Sequence, residues 1–142
     1  MSTELANLLH IGKLKAEPPN DRELAGMLAS GERRLIDASR VDLAFDSRFD
    51  LAYNAAHALA LYALRRAGYR SDNRYLVFQV LPHTLGIAAA QWRVLARRHE
   101  QRNLAEYEGH LEHDNQLLAD LLAAAALLLA AIRKLPTPGA KP

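Results

Sequence analysis

The sequence contains no cysteine and no long hydrophobic run. The absence of cysteine excludes a disulfide framework, a zinc site built on thiolates and a cysteine nucleophile. The longest apolar stretch, LLAAAALLLAAI, covers only 12 residues (121–132), and half of them are alanine, whereas a membrane-spanning helix takes about 20 residues. We therefore expect a buried helix at this stretch and no membrane association.

The chain also lacks a strong net charge and a secretory signal. Its 142 residues suffice for one domain with a real core. The formal charge is only +2, too small to imply nucleic-acid binding by itself. The N-terminus, MSTELANLL, has no basic stretch followed by an apolar one, which predicts a cytoplasmic location.

The charges are unevenly distributed along the chain. Residues 65–102 hold eight arginines against two carboxylates, a balance of +6, and residues 103–120 hold five carboxylates and no Lys or Arg, a balance of −5. Arginine supplies 14 of the 18 basic residues, and its planar guanidinium suits phosphate or carboxylate recognition. A proteome that is generally rich in arginine would produce the same count. For the first four of these arginines we favour a solvated helix end and the loop after it over an RNA contact. They are Arg65, Arg66, Arg70 and Arg74.

Alanine and leucine dominate and β-branched residues are scarce, which favours helix nearly everywhere and predicts no strand. After EPPND (17–21), where Asn20 or Asp21 can cap a helix, apolar residues recur at steps of three and four. They are Leu24, Leu28, Gly31, Leu35 and Ala38. A glycine in the middle of a helix costs about 1 kcal/mol relative to alanine, so Gly31 indicates a close helix contact.

A second helix is predicted from the stretch FDSRFDLAYNAAHALALYALRRAGY. Ser47 followed by Asp50 is similar to a capping box and predicts the helix start, and Gly68 predicts its end. The predicted inward face is made of aromatic and small residues: Phe49, Tyr53, Ala56, Ala60 and Ala63. Small residues there would let a neighbouring helix approach closely.

The remaining segments complete an all-α prediction. Asp72 is a candidate cap for RYLVFQVL, which Pro82 must kink or end, and a long helix beginning with HLEHDNQLL (110–118) stops at Pro136. We expect an up-down bundle of four to five helices over residues 20–135. Residues 1–19 are predicted to form a short helix and linker, and residues 136–142 a disordered tail.

Three pieces of sequence, taken in order, resemble the HEPN superfamily (higher eukaryotes and prokaryotes nucleotide-binding domain). They are DSRFDLAYNAAHALALYALRRAGYR, an apolar helix, and an arginine-rich helix end that runs through RNLAEYEG into a long alanine-rich helix. The resemblance covers roughly residues 20–135. It implies a HEPN-like bundle of the kind found in toxin–antitoxin and nucleotidyltransferase-linked proteins.

The resemblance also implies a site. Many HEPN proteins are metal-independent ribonucleases in which an arginine, usually followed by Asn, Asp or His, is separated from a histidine by four to six residues. They form dimers that bring two such motifs into one cleft. In this chemistry arginine binds the scissile phosphate, and histidine exchanges a proton near neutral pH. Arg102 and Asn103 match this motif, and Tyr107 stands where the histidine is expected.

Because tyrosine is a poor base at pH 7, we expect a non-catalytic module that binds RNA, a nucleotide or a partner protein. The alternative is a metal-independent endoribonuclease that uses Arg102 and Asn103. Structural roles are open as well, since Asn103 can cap a turn and Arg102 can pair with Glu106. Four further residues are candidate phosphate or RNA contacts around the cleft: Arg97, Arg98, His99 and His110.

No cofactor and no metal site are expected. His110 and His113 could share a helix face, but zinc takes three or four converging ligands, and the sequence shows no second cluster. His57 is predicted to be a hydrogen-bonded interior histidine. The expected partners are a second copy of the chain in a homodimer, a nucleotidyltransferase-type protein, and RNA or a nucleotide.

Overall fold

In a computed structural model of the chain we describe residues 3–88, 90–91, 93, 95 and 115–136. These residues form six helices and one two-stranded sheet, so the all-α class is confirmed. The helices are α1 (Thr3–His10), α2 (Asp21–Ala38), α3 (Phe45–Arg66), α4 (Arg74–Gln79), α5 (Leu81–Thr84) and α6 (Asn115–Arg133). The strands are β1 (Lys15–Ala16) and β2 (Tyr69–Arg70).

Helix α2 begins as its sequence predicts. Asn20 is the N-cap, with its side-chain oxygen 3.0 Å from the backbone nitrogen of Glu23. This bond satisfies one of the amide groups that have no partner inside a helix. The predicted face is the one that packs inward, because Leu24, Gly31 and Ala38 are buried on it.

Helix α3 is the centre of the core, but the prediction that Ser47 starts it was wrong. The helix begins at Phe45, and its N-cap, Ala44, makes no side-chain cap bond. Ser47 is exposed inside the first turn. The helix thus starts three residues earlier than a Ser47 cap predicts. Phe45, in its first turn, packs on Phe49 with 6.1 Å between the ring centroids. The whole predicted inward face, from Phe49 to Ala63, is buried.

Helices α2 and α3 pack antiparallel around Gly31. A Cβ atom on Gly31 would lie 2.7 Å from Cδ2 of Leu59 and 3.7 Å from the carbonyl oxygen of Ala55. Leu59 is fully buried, so only a residue without a side chain fits opposite it. The close helix contact predicted from Gly31 is confirmed.

The end of α3 leads into a small sheet that the sequence did not predict. Gly68 follows the helix with a φ of 95°, a left-handed conformation that glycine adopts without strain. The chain then runs antiparallel to β1, with Ala16 opposite Tyr69. Two-residue strands give no period-2 signal, which is why the sequence pattern missed them. Leu5 and Leu14 from the leading segment are buried in the core.

Helices α4 and α5 follow with a different cap from the predicted one. Asn73, not Asp72, is the N-cap of α4, and its side chain accepts a 3.1 Å bond from the backbone nitrogen of Leu76. Pro82 lies in the first turn of α5, where a missing N–H is tolerated. It therefore separates two short helices, as predicted.

Helix α6 packs against α3 and contributes core residues from Leu117 to Ile132. In the part of the chain that we describe, it is the one helix long and apolar enough to cross a membrane by length and composition, with a mean hydropathy of 1.8 over a window that is 39% buried. Its far end is held to the bundle, because Arg66 donates a 2.7 Å bond to the carbonyl oxygen of Pro136.

Candidate functional site

The residues of the predicted site lie outside the described part of the chain. This holds for the motif residues Arg102, Asn103 and Tyr107 and for Arg97, Arg98, His99 and His110. The arrangement of these side chains therefore stays a prediction. Titratable residues do converge elsewhere, on the seam between α2 and α3.

The arginines near the end of α3 were predicted to be solvated together. The structure contradicts this prediction for Arg65. Arg65 is only 3% exposed, and its guanidinium faces the start of α2 and the segment before it. Arg74, in contrast, begins α4 and lies beside Asn54. Arg65 and Arg66 do lie in the last turn of α3, as the helix dipole favours, but Arg70 lies in β2 and Arg74 at the start of α4.

Arg65 uses its whole guanidinium within the chain. Its Nε donates a 2.8 Å bond to Oε1 of Glu23, and its Nη2 lies 3.1 Å from Oε2 of Glu17. It also donates to three backbone carbonyl oxygens, at 3.0, 3.2 and 3.3 Å, which belong to Glu17, Pro18 and Tyr69. The hydrogen bond between Arg65 and Glu23 holds the pKa of the Glu23 carboxyl below its usual value and raises the pKa of Arg65.

A depression of about 320 Å³ opens beside this cluster. We call it the mixed-charge groove and define it by six polar side chains: Glu17, Glu23, Arg65, Arg70, Ser71 and Asp72. Arg70 lies 3.3 Å from Oε1 of Glu17 and 3.9 Å from Oδ1 of Asp72. The two terminal guanidinium nitrogens of Arg70 thus face carboxylates, and Glu17 binds both arginines of this groove.

A second depression, of about 370 Å³, lies further along the same seam. We call it the cationic groove and define it by Ser30, Arg34, Asn54, His57 and Arg74. Ser30 and Arg34 are four residues apart on α2, and Asn54 and His57 are three apart on α3, so each pair shares a helix face. Arg74 closes the groove from the start of α4.

The two arginines of the cationic groove are positioned by uncharged neighbours. Arg74 donates a 3.2 Å bond to Oδ1 of Asn54, and its Cζ lies 5.6 Å from the ring centroid of Tyr53. Arg34 donates to the hydroxyl of Ser30. Neither arginine pairs with a carboxylate anywhere in the described residues.

His57 completes the groove and corrects an expectation. It was predicted to be an interior histidine, yet it is only half-buried and lines the groove. Its ring meets Phe78 edge-on, with 6.0 Å between the centroids. His57 and Asn54 lie three residues apart on α3, and both line the groove. The groove thus combines two guanidinium groups with amide, imidazole and hydroxyl groups, which together suit a phosphate.

Sequence reasoning missed the cationic groove, although part of the signal was present. The spacing of Ser30 and Arg34 brackets Gly31, the residue that marks the close helix contact. Polar residues beside such a contact must lie at the edge of a helix seam. Arg74 could not be added from sequence, because its place depends on how α4 folds back onto α3.

Among the residues that the structure describes, no group of three or more His, Cys, Asp or Glu side chains could hold a metal ion. No family model, curated protein or solved structure matches the chain. The geometry of the two grooves is therefore the basis for a function.

Proposed function

We propose that this chain is a non-enzymatic helical module that binds a phosphate-bearing ligand, RNA or a nucleotide, in the cationic groove. The observation that carries the proposal is the convergence of Arg34 and Arg74, from two helices, on one concave surface without a carboxylate partner among the described residues. Guanidinium groups that are already oriented lose less freedom when they bind an anion. Asn54 and Ser30 supply that orientation.

The binding test compares Arg34→Gln and Arg74→Gln with the wild-type protein by isothermal titration of AMP and of a short RNA. Each variant removes charge-assisted bonds worth about 1.5–3 kcal/mol, so we expect at least a ten-fold loss of affinity. Arg33→Gln is the matched control, since Arg33 is exposed beside Arg34 and lines neither groove. Wild-type affinity in both groove variants would overturn the proposal.

The wider proposal is a HEPN-like homodimer, or a complex with a nucleotidyltransferase-type protein, in the cytoplasm. The alanine face of α3 does not support a dimer, because Ala52, Ala56 and Ala60 are buried within the chain. Support comes from α6, where four of the eight exposed positions are alanine and Leu127 is 38% exposed among them. A monomer in light scattering at micromolar concentration would contradict the homodimer.

The second candidate is the metal-independent endoribonuclease that uses Arg102 and Asn103, favoured by the Arg-Asn pair at a basic stretch. Labelled RNA is incubated with wild type and with Arg102→Ala in the presence of EDTA. Cleavage by wild type alone would establish the enzyme. Equal cleavage by both proteins, or by neither, would remove this candidate.

A further inference from the structure

The two grooves adjoin on the seam between α2 and α3. Met27 from α2 and Leu61 from α3 line both of them. Because the helices are antiparallel, the order along the seam is the Glu23–Arg65 pair, then Met27 and Leu61, then the cationic groove. From Glu23 to Ser30 the helix advances by seven residues, about 10 Å at 1.5 Å per residue.

The charges change sign along this path. The described lining of the cationic groove holds two arginines and no carboxylate. The mixed-charge groove holds three carboxylates against Arg65 and Arg70, a formal balance of −1. Both arginines there are engaged by Glu17, and Arg65 by Glu23 as well. A second phosphate placed in this groove would meet three carboxylates and two guanidinium groups that already bind Glu17.

The mixed-charge groove can instead accept hydrogen bonds at Asp72 and donate one from Ser71. The side chain of Asp72 is 87% exposed, and its nearest cation, Arg70, is 3.9 Å away. Ser71 accepts a 3.0 Å bond from the backbone nitrogen of Asn73, which leaves its own proton free to be donated. Hydroxyl groups of a ligand are suitable partners for both side chains.

We propose that the two grooves together bind a small phosphate monoester on a hydroxyl-rich skeleton, with the phosphate at Arg34 and Arg74 and the hydroxyls at Ser71 and Asp72. This inference rests on the proposed function and selects one ligand class within it. A phosphate monoester carries close to two negative charges near neutral pH, which match two guanidinium groups. An internal RNA phosphate carries one, and the next phosphates of the strand would approach the acidic side of Glu23 and Asp72.

Four probes test the inference by isothermal titration: inorganic phosphate, ribose 5-phosphate, AMP, and an RNA decamer without terminal phosphates. We expect ribose 5-phosphate or AMP to bind at least ten-fold more tightly than inorganic phosphate, and the decamer to bind no more tightly than inorganic phosphate. Tighter binding of AMP than of ribose 5-phosphate identifies a nucleotide. Equal or weaker binding of AMP identifies a sugar phosphate.

The variants separate the two grooves. The double variant Ser71→Ala, Asp72→Ala should lower the affinity for the sugar-bearing probes about five-fold or more. Its affinity for inorganic phosphate should equal that of wild type. Glu4→Gln, which removes an exposed carboxylate that lines neither groove, is the charge control. Arg34→Gln should lower the affinity for all phosphate probes by a similar factor.

The failures are also distinguishable. Two results would overturn the monoester inference: the decamer binds best, or ribose 5-phosphate binds no better than inorganic phosphate. If Arg34→Gln abolishes binding in either case, the cationic groove remains the phosphate site. If no probe binds, or Arg34→Gln binds like wild type, the proposed function and the inference fail together.

Discussion

Arg65, near the end of α3, binds Glu23, in the first turn of α2, with 2.8 Å between Nε and Oε1. The two residues are 42 positions apart in the sequence. The same guanidinium binds the backbone of Glu17 and Pro18, so it ties the segment before α2 to the end of α3. One buried cation thus closes the end of the α2–α3 pair where the mixed-charge groove lies.

Arg65→Ala should lower the free energy of unfolding by about 3 kcal/mol, because three carbonyl oxygens and two carboxylates lose a buried partner. Arg65→Lys should recover only part of this loss, since lysine cannot bind Glu23 in a bidentate way. Urea denaturation provides the measurement. Arg22→Ala, at an exposed position of α2, is the control and should stay within about 0.5 kcal/mol of wild type. Equal stability of Arg65→Ala and Arg22→Ala would contradict this role.

The pair also predicts how stability depends on pH. Hydrogen bonding by Arg65 keeps the pKa of Glu23 below its ordinary value of 4.5, so the folded chain binds fewer protons at this carboxyl than the unfolded chain. Its contribution is therefore complete above about pH 4.5 and is lost as pH falls through the lower folded value. Glu23→Gln should flatten the fall in unfolding free energy between about pH 6 and pH 3. Parallel profiles for the variant and wild type would show that the pair does not act this way.

Gly31→Ala should destabilise the chain by about 1–2 kcal/mol, since overpacking against the buried Leu59 outweighs a gain of up to about 1 kcal/mol in helix propensity. Gly26→Ala is the matched control on the same helix. A Cβ atom there meets nothing within 4 Å, so the variant should gain about 0.5–1 kcal/mol. Thermal and urea unfolding of both variants measure the difference. In a Leu59→Ala background Gly31→Ala should no longer destabilise, and an unchanged penalty there would show that Leu59 is not the obstacle.

The helix starts offer a further test. Asn20→Ala should cost about 1 kcal/mol of unfolding free energy, because it removes the bond that caps α2. Ser47→Ala should change stability by less than about 0.5 kcal/mol, because Ser47 is an exposed residue inside α3 and not its cap. Urea unfolding under one set of conditions compares the two. A loss at Ser47 as large as the loss at Asn20 would support the capping box predicted from sequence.

The local features of the fold were predictable from the sequence. The inward faces of α2 and α3, the Asn20 cap, the stop at Gly68 and the separation at Pro82 all follow from helical period, side-chain capping and backbone conformation. These signals arise within a few residues of one another. Two predictions of helix starts were wrong, although Ser47 and Asp72 have side chains suited to capping. Helix α3 instead begins at Phe45, which packs on Phe49. Helix α4 is capped by Asn73, whose side chain accepts a bond from the backbone of Leu76.

The candidate site depended on the tertiary structure. The sequence determined that arginines cluster near the end of α3 and that polar residues flank Gly31. It could not determine that Arg65 is buried against Glu23 while Arg74 faces Asn54, because those partners are 42 and 20 positions away. Periodicity reports which face of a helix is buried, and only packing decides which charges meet across the seam and which remain for a ligand.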